Sequence, residues 1–254
     1  MKVAIIQTSL FWEQPQLNRE LFKSKIDAIS EEVDLVILPE MFTSGFTMNP
    51  VKVAELMVGE TVLWLKEIAI NKNCALAGSF VVSENEFFFN RLLFVYPSGE
   101  VKYYDKKHLF TFSGENVIYK AGFERLVVSY KGFTICPLIC YDLRFPVFSR
   151  NTQSIDLYIY VANWPKVRIQ AWDILLKARA IENMSYVVGV NRLGSDENQN
   201  IYNGHSQIID CFGTTILNLE EENQVAVVNI EKKMVTDART KFDFLNDKDD
   251  FDLK

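Results

Sequence analysis

The chain has 254 residues, 48% of them hydrophobic, enough to bury a large core within one domain, and nothing in its composition signals disorder. A formal net charge of -6 with scattered Lys and Arg argues against a nucleic-acid or anionic-membrane partner, which would need a basic surface. No apolar stretch approaches the ~20 residues that span a bilayer, and residues 1–7 are too short for a signal peptide, so a soluble, cytoplasmic protein is expected.

In chain order, residues 3–8 read as a strand. Leu17, Leu21, Phe22, Ile26 and Ile29 then recur at helical spacing ahead of an apolar strand at 33–38, which is βαβ logic. A helix is expected over 61–71 and strands over 74–82 and 91–96. The Pro97-Ser-Gly99 turn is a hairpin signal leading into a further strand. The run Phe133-Thr-Ile-Cys-Pro-Leu-Ile-Cys140 predicts a buried strand, followed by a strand at 157–162, a long helix at 167–183, a strand at 186–191 and a polar loop at 194–200. Strands at 205–210, 214–218 and 225–230 close the chain, the first two joined at Phe212-Gly213. No repeat or linker divides it, so residues 1–254 are read as one domain, an α/β arrangement of two packed sheets covered by helices. The tail from about 238 to 254 carries apolar anchors between acids. It is either a frayed acidic end or a segment whose Phe242, Phe244 and Leu245 pack across a dimer contact.

Three strand ends carry chemistry. Cys140 ends its apolar run and enters Tyr-Asp-Leu-Arg-Phe-Pro, so a strand delivers one thiol to a sharp turn. There it can be held rigidly and have its pKa lowered by a neighbouring cation, as a nucleophile requires, although a buried structural cysteine is the other reading. Val33-Asp-Leu-Val-Ile-Leu-Pro-Glu40 ends on a carboxylate, and Tyr103-Tyr-Asp-Lys-Lys-His-Leu-Phe110 places two lysines after a strand-like stretch. On an extended segment Lys106 and His108 share one face while Lys107 points away. Four cysteines without a Cys-x-x-Cys pair and two distant histidines predict no metal and no disulfide. Cys136 lies about 12–14 Å from Cys140 along an extended chain, too far to bridge, and with Cys74 and Cys211 it reads as core.

With Leu-Pro-Glu40, Tyr-Asp-Lys106-Lys-His-Leu-Phe and Cys140-Tyr-Asp-Leu-Arg-Phe-Pro in order, the chain resembles the nitrilase superfamily of carbon-nitrogen hydrolases. The resemblance extends from Val3-Ala-Ile-Ile-Gln7 through Lys177-Ala-Arg-Ala-Ile-Glu-Asn183 to Gly204-His-Ser-Gln-Ile-Ile-Asp210. It implies a four-layer α-β-β-α sandwich that pairs into a homodimer. It also implies a cofactor-free Glu40, Lys106 and Cys140 site, with Lys106 rather than Lys107 as the catalytic lysine. Glu115 in Phe112-Ser-Gly-Glu matches the auxiliary glutamate that holds the lysine, a surface loop glutamate being the alternative.

The chemistry implied is amide hydrolysis through a thioester on Cys140, with Glu40 as base and Lys106 and the Tyr141 N–H as oxyanion donors. Phe46, Tyr141, Trp164 and Trp172 would line a small, partly aromatic pocket. Pro-Glu40-Met-Phe-Thr-Ser-Gly-Phe, Val-Ala-Asn163-Trp-Pro and Asn191-Arg-Leu-Gly-Ser-Asp resemble the omega-amidase branch, which hydrolyses the terminal amide of 2-oxo dicarboxylic monoamides such as 2-oxoglutaramate and 2-oxosuccinamate. Such a substrate needs a cation for its carboxylate. Arg168 is the candidate, a surface residue at a helix start being the other reading, while Arg144 reads as a structural partner for buried acids. Alternatives are a relative acting on an N-carbamoyl compound or another small amide, and a non-catalytic binding or redox-sensing protein on the same fold.

Overall fold

In the computed structural model, which describes residues 1–252, the first strand β1 (Lys2–Gln7) is buried on both sides. Val3 and Ile5 join one core cluster, and Ala4 and Ile6 join another. A strand with period-two side chains and no solvent face must lie between two layers. The chain continues through α1 (Pro15–Asp27), β2 (Leu35–Ile37), α2 (Glu60–Lys72), β3 (Ala75–Glu84), β4 (Phe87–Val95), β5 (Val101–Asp105), the short α3 (Glu115–Ile118), β6 (Val128–Tyr130) and β7 (Phe133–Ile139). After these come β8 (Leu157–Val161), α4 (Ile169–Asn183), β9 (Tyr186–Val190), β10 (Leu193–Ser195), β11 (Ile201–Asn203), β12 (Gln207–Ile209), β13 (Thr215–Asn218), β14 (Gln224–Asn229) and α5 (Lys232–Phe242).

Two six-stranded sheets form, in the orders β14-β1-β2-β3-β4-β5 and β13-β12-β9-β8-β7-β6. Each has three central parallel strands, β1 to β3 in one and β7 to β9 in the other, flanked by antiparallel neighbours. Val3, Ile5, Leu35, Ile37 and Phe94 meet Ile135, Ile139, Leu157 and Val161 in one shared cluster between the sheets. Phe22 and Ile26 of α1, with Val62, Leu65 and Ala69 of α2, cover the outer face of the first sheet. Trp172, Leu176 and Ala180 of α4, at i, i+4 and i+8, cover the second together with Val235 and Ala238 of α5. The result is the expected α-β-β-α sandwich. Gly189 makes the α4 contact close: a Cβ there would fall 2.5 Å from Leu176 Cδ1 and 2.7 Å from Trp172 Cζ2.

Differences from the sequence expectation are local. The strand expected at 33–38 pairs only over β2. The strand expected from 91 begins at Phe87, because Asn85 and Glu86, both left-handed at φ +50 and +67, make a two-residue hairpin turn between β3 and β4. The loop expected at 194–200 is the tip of a small hairpin, β10 paired with β11. Residues 238–242 belong to α5, anchored where Arg239 donates to Met184 O and pairs with Asp156, which Lys232 also meets. Phe242 and Phe244 stack with centroids 5.3 Å apart and remain exposed. Leu253 and Lys254 of the tail lie outside the described residues.

Candidate active site

The parallel strands of both sheets point their C-terminal ends at one cavity, the usual place for a site in sheets of this kind. Glu40 lies three residues past β2 and Cys140 directly follows β7. Asn163 lies two residues past β8, and Lys106 directly follows β5. Cys140 takes φ +44, a left-handed conformation for a residue with a Cβ. That strain lets the chain turn from β7 into a short 3-10 helix at Cys140–Arg144.

Asp142 holds this turn. Its fully buried carboxylate accepts from Ile139 N at 2.9 Å, Tyr104 OH at 2.8 Å and His108 N at 3.1 Å, with His108 Nδ1 at 2.8 Å. The cysteine turn and the lysine loop are thereby tied together. His108 also stacks on Phe145, with centroids 3.6 Å apart.

Lys106 is 1% exposed and its ammonium is shared between two carboxylates. It donates to Glu40 Oε1 at 2.9 Å and to both Glu115 oxygens at 3.0 Å. Burial alone would lower its pKa, but the charges of Glu115 and Glu40 outweigh it, so the group is held above its ordinary value and stays an ammonium. Glu115 is raised, by burial first and by the Glu40 charge, against the opposing pull of Lys106. Its Oε2 also accepts from Phe110 N at 2.6 Å. Glu40 Oε1 accepts further from Asn90 Nδ2 at 2.8 Å, and Oε2 from Asn163 N at 2.8 Å. Lys107 takes no part: its ammonium lies 5.3 Å from the Phe123 ring centroid, outside this cluster.

The Cys140 thiol is pushed well above its ordinary value, by desolvation first and then by the Glu40 charge, with Lys106 opposing. This corrects the expectation of a thiol lowered by a cation. Two carboxylates stand beside one ammonium, so the local field favours the neutral thiol, and a base must remove its proton as the sulfur reacts.

A cavity of about 360 Å³ opens above Cys140. Glu40, Lys106 and Cys140 form its floor, and Phe46, Tyr141, Trp164 and Arg168 line it as expected. Lys106 Nζ lies 5.2 Å from the Phe46 ring centroid. Trp172 does not reach it. That side chain is fully buried beneath Trp164, at 5.4 Å between centroids, and donates to His205 O at 2.8 Å, because α4 turns it toward the sheet.

Arg144 also differs from expectation. It pairs with no acid among the described residues, since Asp142 is already saturated, and instead lines the cavity with its guanidinium 5.0 Å from the Trp164 ring centroid. Arg168 lies likewise 5.3 Å from the Phe110 ring centroid. Asn90 and Asn163 escaped the sequence reading. The signal for Asn90 was available, a polar Asn-Arg pair inside Phe-Phe-Phe-Asn90-Arg-Leu-Leu-Phe-Val, where β propensity alone predicts another apolar residue.

The carbon-nitrogen hydrolase pattern matches residues 2–240 of the chain. Omega-amidase YafV of Yersinia enterocolitica is 42% identical over 99% of this chain and 98% of that protein. The 2-oxoglutaramate amidase of Bacillus subtilis is 30% identical over 96% of each. The crystal structure of XC1258 from Xanthomonas campestris, a CN-hydrolase superfamily protein with an arsenic adduct in its active site, is 42% identical. It superimposes at a TM-score of 0.98, covering 100% of this chain and 99% of that one.

Proposed function

The chain belongs to the carbon-nitrogen hydrolase family, and from that premise we propose that it is an omega-amidase converting a 2-oxo dicarboxylic monoamide, such as 2-oxoglutaramate, to the 2-oxo dicarboxylate and ammonia. The observation that carries the substrate class is the pair Arg144 and Arg168. Two guanidiniums without an acid partner among the described residues line the same small cavity as Cys140, stacked on Trp164 and Phe110. An amide with a carboxylate at its far end would satisfy both ends of that cavity.

In the proposed mechanism Glu40 takes the proton of the neutral Cys140 thiol as Sγ bonds to the amide carbon, and the carbonyl π pair moves to oxygen. The oxyanion meets the Lys106 ammonium and the N–H of Tyr141, which stands in the first turn of a short helix and has no intrahelical acceptor. When the carbonyl re-forms, the C–N bond breaks, Glu40 gives its proton to the departing nitrogen, and ammonia leaves a thioester on Cys140. Water, losing a proton to Glu40, then attacks the thioester, and the sulfur leaves and is reprotonated. Glu115 holds the Lys106 ammonium in place through its two 3.0 Å contacts.

Ammonia release from 2-oxoglutaramate should far exceed that from an uncharged amide of equal length. Arg144→Ala or Arg168→Ala should cut this preference about ten- to hundredfold, the loss of a hydrogen bond to a charged group at ~1.4 kcal/mol per factor of ten. Equal wild-type rates on the two amides would defeat the omega-amidase reading, and faster turnover of an N-carbamoyl compound would favour the other hydrolase reading. We further propose one domain over 1–254 working as a cytoplasmic homodimer, a reading supported by the exposed Phe123, Val147, Phe242 and Phe244. Sedimentation velocity tests the dimer. No helix among the described residues is long and apolar enough to cross a membrane.

A further inference from the structure

We infer that Asn90 is a positioning residue that decides which of the two buried carboxylates acts as the base. It is fully buried in β4, and its Nδ2 donates to Glu40 Oε1 at 2.8 Å while lying 3.5 Å from Glu115 Oε1. Its backbone O accepts from Lys106 N at 3.0 Å, so one residue spans all three charged members of the cluster. Both oxygens facing the amide are carboxylate acceptors, which requires the NH₂ on that side and excludes a flipped amide. The consequence is an Oδ1 left buried without a hydrogen-bond partner. A leucine of similar volume would avoid that unsatisfied acceptor, so the donor is what the site gains from an asparagine here.

The need for such a donor follows from charge. Glu40 and Glu115 face one ammonium in an enclosed space, and the excess negative charge favours a proton on one of the two carboxylates. The proposed mechanism works only if Glu40 is the unprotonated one. Lys106 donates to both Glu115 oxygens but to only one of Glu40. Each carboxylate has one backbone donor, Phe110 N for Glu115 and Asn163 N for Glu40, and Asn163 Nδ2 adds a long 3.4 Å approach to Glu40 Oε2, so these donors leave the two carboxylates close to balance. Asn90 breaks this balance, with its short bond to Glu40 and its long approach to Glu115. The other titratable groups facing Glu40 are Cys140, Tyr119 and Tyr202, all kept neutral, by burial first.

The inference rests on the hydrolase reading above, and the test separates the two. The pH profile of kcat/KM, on whichever small amide the wild type hydrolyses, is compared for wild type, Asn90→Leu and Asn90→Asp. Asn90→Leu removes a hydrogen bond to the ionised base, so its acid limb should move to higher pH by about one unit or more. Asn90→Asp keeps the shape of the side chain but can donate only while protonated, so its activity should be confined to low pH and fall as the new carboxyl ionises. An acid limb that stays in place, with the whole profile lowered uniformly in both variants, would make Asn90 merely structural and overturn the inference. A wild type inactive on every amide tested would instead remove the hydrolase reading.

Discussion

Replacing Lys106 by methionine tests the site at its most connected point. The substitution keeps an unbranched chain of similar length but removes an ammonium 2.9 Å from Glu40 and 3.0 Å from Glu115, at a position 1% exposed. Breaking a buried ion pair by removing one partner costs about 3–5 kcal/mol, because the remaining charge stays buried. At about 2–4 °C per kcal/mol for a chain of this size, Tm should fall by roughly 6–20 °C. The loss should depend on pH in a definite sense. A carboxyl such as Glu115, whose folded pKa lies above its unfolded one, keeps its proton in the fold where the unfolded chain has lost it, so stability falls as pH rises from the unfolded value through the folded one. Without Lys106 that effect should grow, and the Tm deficit should be largest near pH 8 and narrow toward pH 5. Turnover should fall by about 10²–10³ from the missing oxyanion donor. Lys107→Met is the control. Among the described residues its ammonium meets only the Phe123 ring, so the change should cost about 1 kcal/mol or less and leave turnover nearly intact. Scanning fluorimetry across pH and ammonia release read both effects. Equal losses in the two variants, or a Lys106→Met protein with wild-type Tm and rate, would refute the assignment.

The thiolate prediction is direct. Cys140 is raised well above its ordinary value, and Cys74, Cys136 and Cys211 are pushed up to about 11, about 12 and about 11, so the folded protein should show no thiolate absorbance near 240 nm until well above pH 9. A titration step below pH 8, absent from Cys140→Ala, would show that the nucleophile is a resting thiolate instead. Asp142→Ala should be among the most destabilising single changes in the chain. It strands Ile139 N and Tyr104 OH as buried donors at about 1–3 kcal/mol each, with His108 N half-buried beside them, and denaturant melts giving less than about 2 kcal/mol in total would mean that water replaces the carboxylate.

The sequence by itself determined the layered fold, because doubly buried strands such as β1 and β7 show as unbroken apolar runs and the α1 and α4 patterns show as helical recurrence. It also pointed to the proposed reactive set: Glu40 and Cys140 each follow such a run, where a strand stops and a side chain can enter a cavity, whereas the choice of Lys106, after the mixed stretch Val101–Asp105, came from the resemblance to carbon-nitrogen hydrolases. The protonation state of Cys140 was not legible in the same way. It depends on how many charges converge from β2, β5, α3 and β7, segments separated by up to 100 residues, and linear spacing carries no information on that sum. The same limit explains the two arginines and Trp172. Whether Arg144 meets an acid or a cavity depends on Asp142 being already saturated by Tyr104 and His108, and whether Trp172 faces substrate or core depends on the rotation of α4 against Gly189. Asn90 lies between these cases. A polar residue inside an apolar strand announces that something is unusual, but only the folded chain, by bringing two carboxylates to one amide, decides what that residue is for.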